Sequence, residues 1–248
     1  MLPLKGKTMV VIGGSGGVGR EIVEHGVRNG ARVLAVARHE AGLRQLAVDV
    51  RGVETLALDA TDASAPTTVF DVLKPDILVL CAGATPPAAP LHQQSWLEFA
   101  VNWETDVKMA FHFCKAALSR PLSPGASVIL ISSGAALAGS PNSGGYAGAK
   151  RTQMFIANYS QKESDRLGLD VRFMTLAPRL MPDTEFGRRA AAGYSRYLGI
   201  SQADFVKSMS SPPSPADVAT GVIDLVVNAD QSKGKTLVVS GNGLEAVP

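Results

Sequence analysis

Cysteine is scarce in this chain, with only Cys81 and Cys114 among 248 residues. They lack paired spacing, so neither a disulfide framework nor a thiolate metal site is expected, and both read as structural thiols of a reducing, cytoplasmic compartment. The histidines (His25, His39, His92 and His112) show no ligand-like spacing, so no metal is expected. Charge of either sign is also short of excess. The formal net charge is +2, and basic residues are scattered rather than interleaved with aromatics, which argues against nucleic acid as a partner. No apolar stretch has membrane length. Lysines occur within residues 1–8, but the apolar run that follows is too short for a signal peptide.

Glycine is plentiful, and it concentrates first in Gly13-Gly14-Ser15-Gly16-Gly17-Val18-Gly19. An apolar run, Met9 to Ile12, enters this cluster, and Ile22, Val23 and Val27 leave it at helical spacing, which reads as strand, tight turn, helix. Glycine lets a backbone turn sharply and lets an anion approach main-chain N–H groups. The helix N-terminus behind it adds free donors and partial positive charge. Plain α/β connections also contain such turns, and the spacing Gly13-x-x-x-Gly17-x-Gly19 is not the commoner G-x-G-x-x-G.

Strand and helix signals alternate along the rest of the chain. Further short apolar runs occur at 33–37, 53–58, 76–80, 128–131, 171–176 and 236–239, with helical stretches near 20–29, 40–49, 64–73, 95–119, 146–167 and 216–228. The runs are apolar throughout, as strands buried on both faces should be. The expected fold is α/β: a single Rossmann-type doubly wound domain over 1–248, with a seven-stranded parallel sheet and helices on both faces. Ligands in such sheets sit outside the carboxyl ends of the strands, where strand order reverses. The proline-rich part, 178–215, is the longest irregular stretch and suits a lid over a site, although a surface excursion would look the same.

Two chemical features fall at predicted strand ends. One is Cys81-Ala82-Gly83; the other is Ser132-Ser133, followed by Tyr146-Ala147-Gly148-Ala149-Lys150 at the start of a helix. Residues four apart share a helix face, so Lys150 lies beside Tyr146. An adjacent ammonium favours the phenolate and brings a tyrosine, ordinarily near 10, toward working pH. A cap at Asn142 or Ser143 would put the phenol near the positive end of the helix dipole. Such a pair can donate and accept a proton at a carbonyl or alcohol oxygen. It would also occur by chance as an exposed helix pair, and the order of the features is what makes it informative.

With those residues in hand, the chain resembles the short-chain dehydrogenases/reductases over almost its whole length. The resemblance rests on Gly13, Gly17 and Gly19, Asp59 after the third strand, Cys81-Ala82-Gly83, Asn102 in Val101-Asn102-Trp103, Ser133 thirteen residues before the tyrosine, and Tyr146-x-x-x-Lys150. It implies catalytic roles for Asn102, Ser133, Tyr146 and Lys150. Ser133 would hydrogen-bond the reacting oxygen, Tyr146 would move the proton, Lys150 would bias the phenol and hold the nicotinamide ribose, and Asn102 would hold a water passing protons from Lys150 to solvent. A nicotinamide cofactor is implied along Gly13, Ser15, Gly16, Gly17, Val18, Gly19, Arg38, Asp59, Ala60, Cys81, Ala82, Gly83, Tyr146, Lys150, Pro178 and Arg179. The second strand ends Ala37-Arg38 rather than in an acid, and a guanidinium suits a 2′-phosphate, so NADP(H) is expected over NAD(H). A homodimer or homotetramer through the two long helices is implied as well, with a small-molecule carbonyl or alcohol as substrate.

The chain also departs from the family pattern. Ile12 replaces a usual threonine, Cys81 a usual asparagine, and Pro178-Arg179 a usual Pro-Gly, with Thr184 late in the following loop. Arg179 either faces the site and engages an anionic substrate group or lies at the surface of a remodelled loop. The aromatic residues of 183–210 suit either a hydrophobic substrate pocket or amphipathic helices packed on the body. A dinucleotide-sensing regulator without turnover, or a sugar-nucleotide epimerase or dehydratase, are the competing functions.

Overall fold

The computed structural model describes residues 2–247. Its centre is a sheet whose inner strands are apolar on both faces. In chain order these are β1 (Thr8–Ile12), β2 (Arg32–Ala37), β3 (Glu54–Ala57), β4 (Ile77–Leu80), β5 (Ser127–Ile131), β6 (Arg172–Pro178), β7 (Thr236–Ser240) and β8 (Gly243–Ala246). They lie in the order β3-β2-β1-β4-β5-β6-β7-β8. The chain winds outward through β2 and β3, then returns to place β4 beside β1, with Ile12 opposite Leu80. That reversal opens a crevice at the carboxyl ends of β1 and β4.

Helices cover both faces. On one side α1 (Gly17–Arg28), α2 (Glu40–Asp49) and α10 (Pro215–Val227) bury Ile22, Leu46 and Val222 against Val11, Val79 and Leu176. On the other, α3 (Ala65–Val72), α5 (Lys108–Ser119) and α7 (Gly144–Leu167) bury Val69, Phe113 and Ala157 against Val10, Leu78 and Leu130. Each such side chain taken fully from water contributes roughly 1.5–3 kcal/mol, which holds the strand ends rigid under the crevice.

Three expectations need correction. The sheet has eight strands, because β8 folds back antiparallel on β7, with Ser240 opposite Gly243. Gly243, at φ +103°, makes that return possible, and the added strand is only half-buried, so it lacks the apolar signature of the others. The helix expected over 95–119 is three pieces: α4 (Trp96–Asn102), a π-helical turn (Trp103–Val107) and α5. Thirdly, 178–215 is largely helical. α8 (Glu185–Leu198) is capped by Thr184, which accepts from Gly187 N–H at 2.9 Å, and α9 (Gln202–Lys207) by Ser201, which accepts from Asp204 N–H at 3.1 Å. α8 packs through Gly187, Ala191 and Gly193, residues too small to read as an apolar stripe. The short helices α6 (Ala135–Ala138) and α11 (Ala229–Ser232) and a 3-10 turn (Leu91–Gln93) complete the elements.

Candidate active site

The turn between β1 and α1 uses its glycines in two ways. A Cβ on Gly13 would lie 2.6 Å from Ala82 N, and one on Gly19 only 2.1 Å from Gly13 O. These two permit backbone to pack on backbone. Gly16 and Gly17 instead face open space, where a Cβ would meet nothing within 4 Å. Gly16 caps α1 with no side-chain hydrogen bond, and the first turn of α1 carries no acid. Its N–H donors are therefore free for an anion, and the turn fits the pyrophosphate of a dinucleotide.

Gly13 and Gly16 line a cleft together with the adjoining β4 exit, Cys81, Ala82 and Gly83. Its far end is closed by Arg38 from the end of β2 and by Asp59 and Ala60 from the loop after β3. Arg38 is exposed and makes no ion pair among the described residues, although its charge reaches Asp59. Asp59 Oδ1 is occupied by the amide and hydroxyl of Thr61 at 2.9 and 2.8 Å, and these bonds hold its carboxyl below the usual range. Ser15 touches α2 where a Cβ on Gly42 would meet it at 3.2 Å, and Val18 packs against the core.

Tyr146, half-buried, lies in the first turn of α7, with Lys150 one turn further on at 5% exposure. Lys150 Nζ lies 5.7 Å from the Tyr146 ring centre. Ser132 Oγ donates to Lys150 O at 2.8 Å and ties α7 to the end of β5. Ser133 follows, and its Oγ accepts from Ala135 N–H at 3.2 Å. Ser143 begins α7 without a capping hydrogen bond, so the dipole reaches Tyr146 without that help. Burial pushes the Tyr146 phenol above its ordinary value, against the pull of Lys150 and Ser133. The lysine therefore does not bring the phenol toward neutral pH in the free protein, contrary to the expectation from the pair alone. Burial likewise pushes the Cys81 thiol up to about 11 and the Cys114 thiol up to about 12, so neither is a thiolate.

The residue on Lys150 is Asp106, a position that the motifs in the sequence do not mark. Its Oδ2 lies 3.1 Å from Nζ, and both side chains are buried. Nζ also donates to Ile131 O at 3.1 Å and Gln153 Oε1 at 3.2 Å. Asn102 stands behind, donating from Nδ2 to Ala84 O at 2.7 Å and to Asp106 Oδ1 at 3.2 Å, while its own Oδ1 has no partner. Asp106 occurs in the π-turn, where α4 meets α7 so closely that a Cβ on Gly145 would lie within the shell of Phe99 O. A signal was present: Asp106 continues the buried face of Met109, Ala110, Phe113 and Ala117, and an acid in such a stripe demands a partner.

Pro178 and Arg179 lie beside this cluster. Gly134 N–H donates to Pro178 O at 2.8 Å, which clasps the β6 exit to the β5 exit. The Arg179 guanidinium turns to β8 and pairs with Glu245 at 2.9 Å. From α8, Phe186 sets its ring 5.6 Å from that of Tyr146, and Tyr194 Oη donates to Ser140 Oγ at 2.6 Å.

Comparison with known proteins points the same way. Residues 7–194 match the family model described as short chain dehydrogenase. The 2-keto-3-deoxy-L-fuconate dehydrogenase of Xanthomonas campestris pv. campestris is 28% identical over 96% of this chain and 80% of its own. The L-fucose dehydrogenase of Mus musculus is 27% identical over 95% of this chain and 88% of its own. The crystal structure of NAD+-bound xylitol dehydrogenase superposes with a TM-score of 0.85, covering 96% of this chain and 99% of that one, at 19% identity, a likeness of fold.

Proposed function

The chain belongs to the short chain dehydrogenase family and is a nicotinamide-dependent oxidoreductase of CH–OH and C=O groups; on that premise we propose that it uses NADP(H), with Tyr146 as general acid and base. The observation that carries this reading is the cluster of Ser133, Tyr146 and Lys150 next to a glycine-walled cleft, joined to it through Cys81, which lines the cleft and feels the charge of Lys150. The nicotinamide, when bound, supplies or accepts the hydride. Tyr146 Oη gives the proton to the substrate oxygen in reduction and takes it in oxidation. Ser133 Oγ hydrogen-bonds that oxygen where negative charge develops. Lys150 holds positive charge beneath the phenol.

Preference for NADP(H) is supported by Arg38, an exposed guanidinium without an ion-pair partner at the adenosine end, where bidentate bonds to a 2′-phosphate are available. Substrate contacts fall to the lid, 178–215. Its Tyr194 hydroxyl joins Ser140 and Ser143, whose Oγ atoms are 2.7 Å apart, in a hydroxyl cluster suited to a polyhydroxylated compound. The relatives named for L-fucose and 2-keto-3-deoxy-L-fuconate make sugars and sugar acids the first compounds to try. Exposed Phe111 on α5, with Phe155 and Tyr159 on α7, suits burial in a homodimer or homotetramer. The chain carries no helix long and apolar enough to cross a membrane among its described residues, and we place it in the cytoplasm.

The test is NADPH oxidation by purified protein over a panel of ketoses, keto acids and simple ketones, with sugar oxidation by NADP+ as the reverse assay. Turnover that Tyr146→Phe removes supports the reading. NADPH binding without turnover on any compound would replace it with a dinucleotide-sensing role.

A further inference from the structure

Asp106 is fully buried in a face that is otherwise apolar. A carboxylate there costs several kcal/mol, of order, unless it is paired and hydrogen-bonded. Three donors and an ammonium meet it. Oδ1 accepts from Ala84 N–H at 2.9 Å, the Thr105 hydroxyl at 2.8 Å and Asn102 Nδ2 at 3.2 Å, and Oδ2 faces Lys150 Nζ at 3.1 Å. The β4 exit is shaped to admit it, since a Cβ on Gly83 would lie 2.6 Å from Oδ2. Such a donor set holds an anion.

Its charge changes what the lysine can do. Lys150 Nζ donates to Ile131 O and Gln153 Oε1, and pairs in charge with Asp106, whose Oδ2 lies 3.1 Å away and accepts no hydrogen bond. The ionisable groups that bear on Tyr146 are Lys150 from its own helix, Asp106 from the π-turn and Cys81 from the β4 exit. The Cys81 thiol, at about 11, is neutral. With Lys150 and Asp106 cancelling, a phenol leaves the cluster neutral, and a phenolate leaves it with an unbalanced negative charge away from water. The low-dielectric surroundings make the second state costly. An amide in place of the carboxylate would restore the balance for the phenolate.

We propose that Asp106 is a positioning residue that cancels the charge of Lys150, keeps Tyr146 as the phenol and makes the resting site a proton donor to carbonyls. The proposal rests on Tyr146 being the catalytic acid and base. In reduction, hydride adds to the carbonyl carbon, and the Tyr146 proton moves to the oxygen, giving an alcohol and a tyrosinate that solvent then reprotonates. Oxidation needs the tyrosinate first, so its kcat/KM climbs well beyond neutral pH, while reduction stays flat through neutrality.

The chain has four tyrosines, so labelling tyrosine Cζ with carbon-13 allows each phenol to be titrated by NMR, with Tyr146→Phe assigning the signal. In the wild-type protein Tyr146 should titrate above about 10. In Asp106→Asn it should move down by about one pH unit or more, with Tyr159, Tyr194 and Tyr197 unmoved, and the alkaline limb of the oxidation profile should move by the same amount. A purely structural Asp106 would lower the melting temperature on substitution without moving that titration. An unchanged Tyr146 titration in a folded Asp106→Asn protein would overturn the proposal. So would a wild-type value below about 8, a measurement that stands even where the variant fails to fold. The titration needs no substrate, so a protein that titrates as expected supports this role for Asp106 even if the turnover assay fails.

Discussion

At the β1–α1 turn the cleft wall is main chain. Gly13 and Gly19 let backbone touch backbone, and Gly16 and Gly17 leave space for an anion that N–H groups can bind. At the α4–α7 contact the wall is side-chain charge: a buried ammonium between a carboxylate and a phenol, with one amide behind them. The first kind of site depends on spacing along a single turn, and removing one glycine damages it locally. The second depends on residues some forty positions apart meeting at about 3 Å, where each group sets the charge state of the next.

The sharpest break at the charged end is Tyr146→Phe. Turnover should fall by about 10²–10⁴-fold, measured as kcat for the best substrate, while NADPH affinity stays near wild type. At the main-chain end, Gly19→Ala should lower stability by roughly 1–3 kcal/mol in denaturant unfolding, because its Cβ must displace Gly13 O. Gly16→Ala, facing open space, should leave stability within about 0.5 kcal/mol and weaken dinucleotide binding alone. Equal stability losses for the two glycine variants would end the division of labour drawn between them. Arg38→Ala should raise the Kd for NADPH about tenfold or more and that for NADH about twofold or less, read by fluorescence titration. Equal losses for both would remove the NADP(H) assignment. The smallest effect belongs to Arg179→Ala. Its exposed pair with Glu245 holds β8 to the β6 exit and should be worth under about 1 kcal/mol in thermal unfolding, with charged and neutral substrates affected alike. A loss confined to anionic substrates would instead mean that the guanidinium leaves Glu245 to bind them.

Most of the architecture was legible because it is written in local pattern. Strands β1 to β7 all read as short apolar runs, β3 from the run at 53–58; β8 is short and half-buried and gives no such signal. The interval 178–215 is marked by its prolines, yet α8 within it packs largely through glycine and alanine, which carry little hydrophobic signal. The Tyr146–Lys150 pair was legible from helical spacing. Asp106 was missed because the resemblance favoured an asparagine by residue type, one turn away at Asn102, while the π-turn and the Gly145–Phe99 contact put a carboxylate on the lysine.

What the chain alone determined is the alternation of elements, the glycine turn and the phenol–ammonium pair, since each follows from short-range sterics or helical periodicity. Only the folded molecule decided which carboxylate meets that pair. Electrostatic balance in a buried site depends on which groups from distant segments share the same few ångströms of low-dielectric space.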